Sequence, residues 1–107
     1  MNFSMSLDDE DAIWLFERIV RELGKRFDHA EAEAVDLVNR YCQKFTDPDF
    51  CRAYDVPVQT MEFFAREESL AMADRVHFYV VLGNEPNESA FVEWEKRLER
   101  EKKRLLE

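Results

Sequence analysis

Two glycines and three prolines in 107 residues leave this chain almost without the residues that turn a backbone sharply. A β-sandwich or barrel of this size needs a turn roughly every eight to twelve positions, marked by such residues. The shortage selects few, long elements joined by short connections. Apolar spacing says which kind. Ile13, Phe16, Val20, Leu23 and Phe27 recur at alternating steps of three and four, and Ala12, Leu15 and Ile19 widen the stripe. The expected fold is all-α: a compact bundle of four to five helices forming one domain over residues 1–107, with 1–5 and about 103–107 frayed. One core suits this length.

The expected boundaries follow from cap and turn residues. Ser6 caps the first helix, Asp8 and Asp9 face the positive end of its dipole, and Gly24 is its left-handed stop. Asp28-His29-Ala30-Glu31 reads as a capping box for a second helix. That helix turns Ala30, Ala34, Leu37, Val38, Tyr41 and Phe45 inward and His29, Glu33, Asp36 and Arg40 outward. Asp47-Pro48 starts a short helix carrying Phe50 and Tyr54. Asp55-Val56-Pro57 launches another from about Pro57, with Met61, Phe64 and Ala65 inside. The apolar phase slips at Arg66–Ser69, so two segments over 57–82, the second capped by Ser69, are preferred to one bent helix. A strand at Val76–Leu82 is the minority reading. After the turn Gly83–Asn87, a last helix bears Ala90, Phe91, Trp94, Leu98 and Leu105. Its ion pairs are expected between Glu93 and Arg97 and between Glu99 and Lys103.

Charge narrows the function. The formal net charge is −9, yet residues 1–95 carry −12 and Lys96–Arg104 carry +4. An acidic body repels phosphate, and duplex binding rests on cationic side chains, so nucleic acid is not an expected partner. The acids alternating within Lys96–Arg104 make that stretch a salt-bridged, solvated face. An acidic surface also serves solubility alone. No apolar run is longer than Phe78–Leu82, far short of the ~20 residues a membrane span needs. No start-of-chain apolar leader is apparent. Cys42 and Cys51 make no disulfide framework, so a cytoplasmic protein with free thiols is expected.

No cofactor and no metal are expected. Asp74 and His77 stand one helical turn apart, as in di-iron bundles, but only two histidines exist in the chain. The serines fall mostly at helix starts, where capping explains them, and two glycines cannot build a phosphate loop. The expectation is therefore a protein that is not an enzyme and that binds a basic protein. Asp47, Asp49 and Asp55 ring the aromatic anchors Phe50 and Tyr54, and Glu33 and Asp36 add charge on the second helix. Central aromatics carry binding energy while surrounding charge steers encounter. If the aromatics belong to the core, the same acids are simply caps.

In compactness, helicity, acidic charge, free thiols and lack of an active-site motif, the chain resembles bacterial immunity proteins. The likeness is of class over the whole chain, without a signature motif, and assigns no residue. It implies a basic domain of a secreted toxin as the protein that is bound and blocked. Two other readings remain open. An adaptor could dock through Phe91, Trp94 and Leu98 of the last helix. A small helical enzyme could use a pocket lined by His77 and Tyr79.

Overall fold

The structure, a computed structural model, describes Asn2, Phe3, Met5 and residues 9–106. Ser6, Leu7 and Asp8, where the first helix was expected to begin, lie outside those residues. Helix α1 (Glu10–Phe27) starts from Asp9, whose carboxylate accepts a hydrogen bond from the Asp11 amide at 3.0 Å. That satisfies one of the amides a helix start leaves free.

Gly24 lies inside α1 and does not end it. The left-handed stop is Asp28, at φ 58°, whose amide donates to the Gly24 carbonyl at 3.1 Å. Gly24 instead permits a close return of the chain, since a Cβ there would stand 3.3 Å from the His29 carbonyl oxygen. With Asp28 committed to ending α1, the expected capping box does not form. Helix α2 (Glu31–Phe45) starts from Ala30 with no side-chain cap.

The buried faces largely follow the spacing. Helix α1 buries Phe16, Ile19, Val20 and Leu23, while Ile13 is 38% exposed. Helix α2 buries Ala34, Leu37, Val38, Tyr41, Cys42 and Phe45, while Ala30 is exposed. Helix α3 (Pro48–Ala53) is capped as expected, the Asp47 carboxylate accepting from the Asp49 amide at 3.0 Å.

No helix begins at Pro57. A proline biases the residue before it toward extended backbone, and residues 56–60 form no helix. The Gln59 amide in this segment donates to the Phe45 carbonyl at 2.8 Å, tying it to the end of α2. Thr60 then caps α4 (Met61–Arg66), its hydroxyl accepting from the Phe63 amide.

Helix α5 (Ser69–Val76) is a separate segment, and Glu68, not Ser69, holds its cap position. It runs on as a π-helical turn, His77–Val81, closed by the Leu82 amide on the His77 carbonyl at 3.0 Å. The strand considered for Val76–Leu82 is therefore helical. Gly83, at φ 69°, breaks the chain away. The Asn87 carboxamide oxygen accepts from the Ala90 amide, and α6 (Glu88–Leu106) follows.

The described residues form an all-α bundle, as expected, of six α-helices and a π-turn. The two shortest, α3 and α4, each six residues long, are the helices expected from Asp47-Pro48 and, with a later start, from about Pro57. Helix α1 packs chiefly on α5 and α2, and the π-turn rests on α2. Near the chain start, expected to fray, Phe3 packs on Phe16 with ring centroids 5.4 Å apart, and the Asn2 carbonyl accepts from Asn39. At the other end α6 stays helical through Leu106, but Leu105 and Leu106 are 86% and 88% exposed. The radius of gyration, 13.9 Å, exceeds the roughly 13 Å of an ideally compact chain of this length, consistent with that projecting end. Of the described residues, no helix is long and apolar enough to cross a membrane.

Candidate partner-binding surface

Five of the seven residues singled out for partner binding come together around α3. Asp47 caps the helix, Asp49 lies 3.5 Å from Arg52, and Asp55 turns the chain at φ 54°. Phe50 is half-buried between the rings of Phe45 and Tyr54, at 5.7 and 5.0 Å, while Tyr54 remains 39% exposed. Phe50 is thus largely a packing residue and Tyr54 the outward one. Glu33 and Asp36 stand apart from this patch. Asp36 precedes Phe45 by nine residues, ~14 Å along the helix axis, and pairs with Arg40 at 3.0 Å. Glu33 contacts His29.

A second aromatic surface escaped the sequence reading. Trp14 lies beside the inward stripe of α1 and is 54% exposed, with the Arg18 guanidinium 4.7 Å from its ring centre. It lines two neighbouring grooves. One, of about 410 Å³, is bounded by the start of α1 and by α4 and contains Asp9, Asp11 and Glu62. The other, of about 610 Å³, borders the α4–α5 link and contains Glu22, Glu67 and Glu68. Among the described residues, Arg18 is the single basic residue lining either groove. The available signal was an aromatic one step off the stripe, just after the acidic first turn of α1.

Inside the molecule, polar side chains are mostly paired. Arg75 grips Glu88 through both terminal nitrogens, at 2.8 and 2.6 Å, and approaches Glu67 at 3.7 Å. Its guanidinium lies 5.2 Å from the Phe63 ring centre and 4.5 Å from that of Phe91. Burial opposes the charge on Arg75, but the Glu88 hydrogen bonds more than restore it and hold its pKa above the ordinary value. The same bonds pull Glu88 below the usual carboxylate range. Among the described residues Arg75 Nε is buried without a hydrogen-bond partner. An unmet buried donor costs about 1–3 kcal/mol.

His77 and Tyr79, proposed above to share a pocket, are separated. Tyr79 lines a cavity of about 230 Å³ with Arg75 and donates its hydroxyl to the Asn87 carbonyl at 3.1 Å. His77 stacks on Phe27, with ring centroids 3.8 Å apart and planes 5° from parallel, and packs beside Trp94. Its Nδ1 stands 3.3 Å from His29 Nε2, and His29 Nδ1 meets the Glu33 carboxylate. Burial first, and His29 second, lower the pKa of His77.

Asp74 does not join His77. Arg26 holds it through two hydrogen bonds, at 2.8 and 3.1 Å. Burial and the adjacent Asp74 carboxylate raise Glu95 above the usual carboxylate range. No group of three or more His, Cys, Asp or Glu among the described residues could hold a metal ion. The free thiols are both buried, and burial pushes Cys42 up to about 12, the opposite of an activated nucleophile. Burial, then the nearby Asp47 carboxylate, raises Cys51 as well.

Compared with protein-family models, curated proteins and solved structures, the chain matches none of them.

Proposed function

We propose that this chain is a non-catalytic binding domain that docks a basic protein, and that this partner is a toxin or effector domain it blocks, as the likeness to immunity proteins implies. One observation carries the reading. Trp14 is more than half exposed between two grooves whose linings, among the described residues, supply six carboxylates and one arginine. Tryptophan is the side chain most enriched among residues that dominate binding energy, and a rim of charge speeds and orients encounter. The excess of carboxylates calls for lysine and arginine on the opposing surface, around a recess that accepts an indole. The Tyr54 patch on α3 shares this chemistry with a smaller exposed ring, and it ranks second.

Affinity capture from the producing cell, with the wild-type chain beside Trp14→Ala, tests the proposal. A basic protein should be retained, its activity should fall on binding, and Trp14→Ala should weaken its affinity at least tenfold, about 1.4 kcal/mol. Asp9→Lys with Asp11→Lys should slow association while leaving dissociation nearly unchanged, and added salt should slow the wild-type association. Retention of an acidic protein, or unchanged affinity of Trp14→Ala, would overturn the reading. An effect confined to Asp47→Lys with Asp49→Lys would move the docking face to α3.

A further inference from the structure

We propose that the two grooves beside Trp14 form one channel that seats an amphipathic helix of the partner, apolar at its centre and bearing lysine or arginine at both ends. The inference rests on the docking reading above and adds the kind of segment that docks. Trp14, Leu15 and Ala65 line both grooves, so the two meet there. On α1 the lining residues Asp11, Leu15, Arg18 and Glu22 advance by four, three and four positions, which keeps them on one stripe of the helix. From Asp11 to Glu22 that stripe runs ~16 Å, about three helical turns.

Chemistry varies along the channel. Toward its middle Ala12, Leu15 and Met61 are half-buried, Ala65 is small, and the exposed Trp14 ring stands beside them. Apolar side chains of an occupant lose water contact there. Asp11 and Glu62 line the groove at the start of α1, and Glu22 and Glu68 line the other. These four carboxylates enter no salt bridge among the described residues. By contrast Glu17, Asp36 and Asp49 are each met by an arginine three or four positions on. Unpaired carboxylates in both grooves call for cationic ends on the occupant. The walls then select its secondary structure. Helices α1 and α4 offer no sheet edge, so an extended segment over the apolar middle would find no partners there for its amides and carbonyls. A helix bonds its own backbone internally and needs none.

The test uses the whole chain and three synthetic peptides, each long enough for about three to four helical turns. The first is built of lysine, leucine and alanine, with leucines at steps of three and four and lysines at both ends. The second keeps that composition but sets leucine at every other position, the strand pattern. The third is the first with glutamate for every lysine. Each indole N–H has its own resonance in nitrogen-15 NMR, so Trp14 and Trp94 report separately. The first peptide should move the Trp14 signal saturably at micromolar concentration, leave that of Trp94 in place and gain helical circular dichroism on binding. The second should bind at least tenfold more weakly, and the third not at all. Ala65→Arg, at an exposed position shared by both grooves, should weaken the first peptide tenfold or more, and arginine keeps the helix propensity that α4 needs. Equal binding of the first two peptides would overturn the proposal, because charge alone would then suffice. An Ala65→Arg variant that binds like wild type, or a first peptide that leaves the Trp14 signal unmoved, would overturn it too. In that case a captured basic protein still weakened by Trp14→Ala leaves the docking reading standing. Peptide binding at Trp14 with no basic protein captured supports the channel and removes the docking reading instead.

Discussion

Asp28 holds φ at 58°, where a side chain costs roughly 1 kcal/mol and glycine costs little. Asp28→Gly should therefore stabilise the protein by about 0.5 kcal/mol, allowing for glycine's extra freedom when unfolded. The urea midpoint should rise with an unchanged slope. His77 sets a dependence on acidity. Burial and the facing His29 depress its pKa below the ordinary ~6.5, so the unfolded chain binds a proton more readily than the folded one. Stability from the neutral ring is complete above about pH 6.5 and is lost as pH falls through the lower folded value. The groups facing the ring are His29 with Glu33, Phe27 and Trp94, with Arg26 and Asp74 paired nearby. A His77→Phe variant, keeping the stack on Phe27, should show a flatter decline in melting temperature between pH 7 and pH 5.

At the scale of helices, anchoring is uneven. Helix α6 is 19 residues long, but Phe91 is its one fully buried side chain, set against Phe78 and Tyr79 with Trp94 beside it. Phe91→Ala should cost about 3–5 kcal/mol, as large-to-small changes in cores do. Ending the chain after Lys102 should change stability by less than about 0.5 kcal/mol, the usual range for surface changes. Thermal melts of the two variants separate these outcomes. The same unevenness marks how far sequence reading reached. The apolar repeats of α1 and α2 are long enough to fix a face, and Asp47-Pro48 names its own helix start. The start of α4 was misjudged because its decisive bond, Gln59 to Phe45, spans 14 positions and leaves no local trace. Arg26 with Asp74 and His29 with His77 each span 48 positions, so only packing of α1 and α2 on α5 brings them together. Trp14 was visible only as an aromatic beside the stripe, and nothing local showed that the body would leave it uncovered.

Over the whole molecule, the two ends differ in charge. Residues 1–95 carry −12, while Lys96–Arg104, on the second half of the projecting helix, carry +4. Opposite charges held apart on the end of α6 and on the body give the protein a permanent electric moment. In the field of a cationic surface such a particle experiences a torque before it makes contact. It swings the basic end of α6 outward and presents the acidic body.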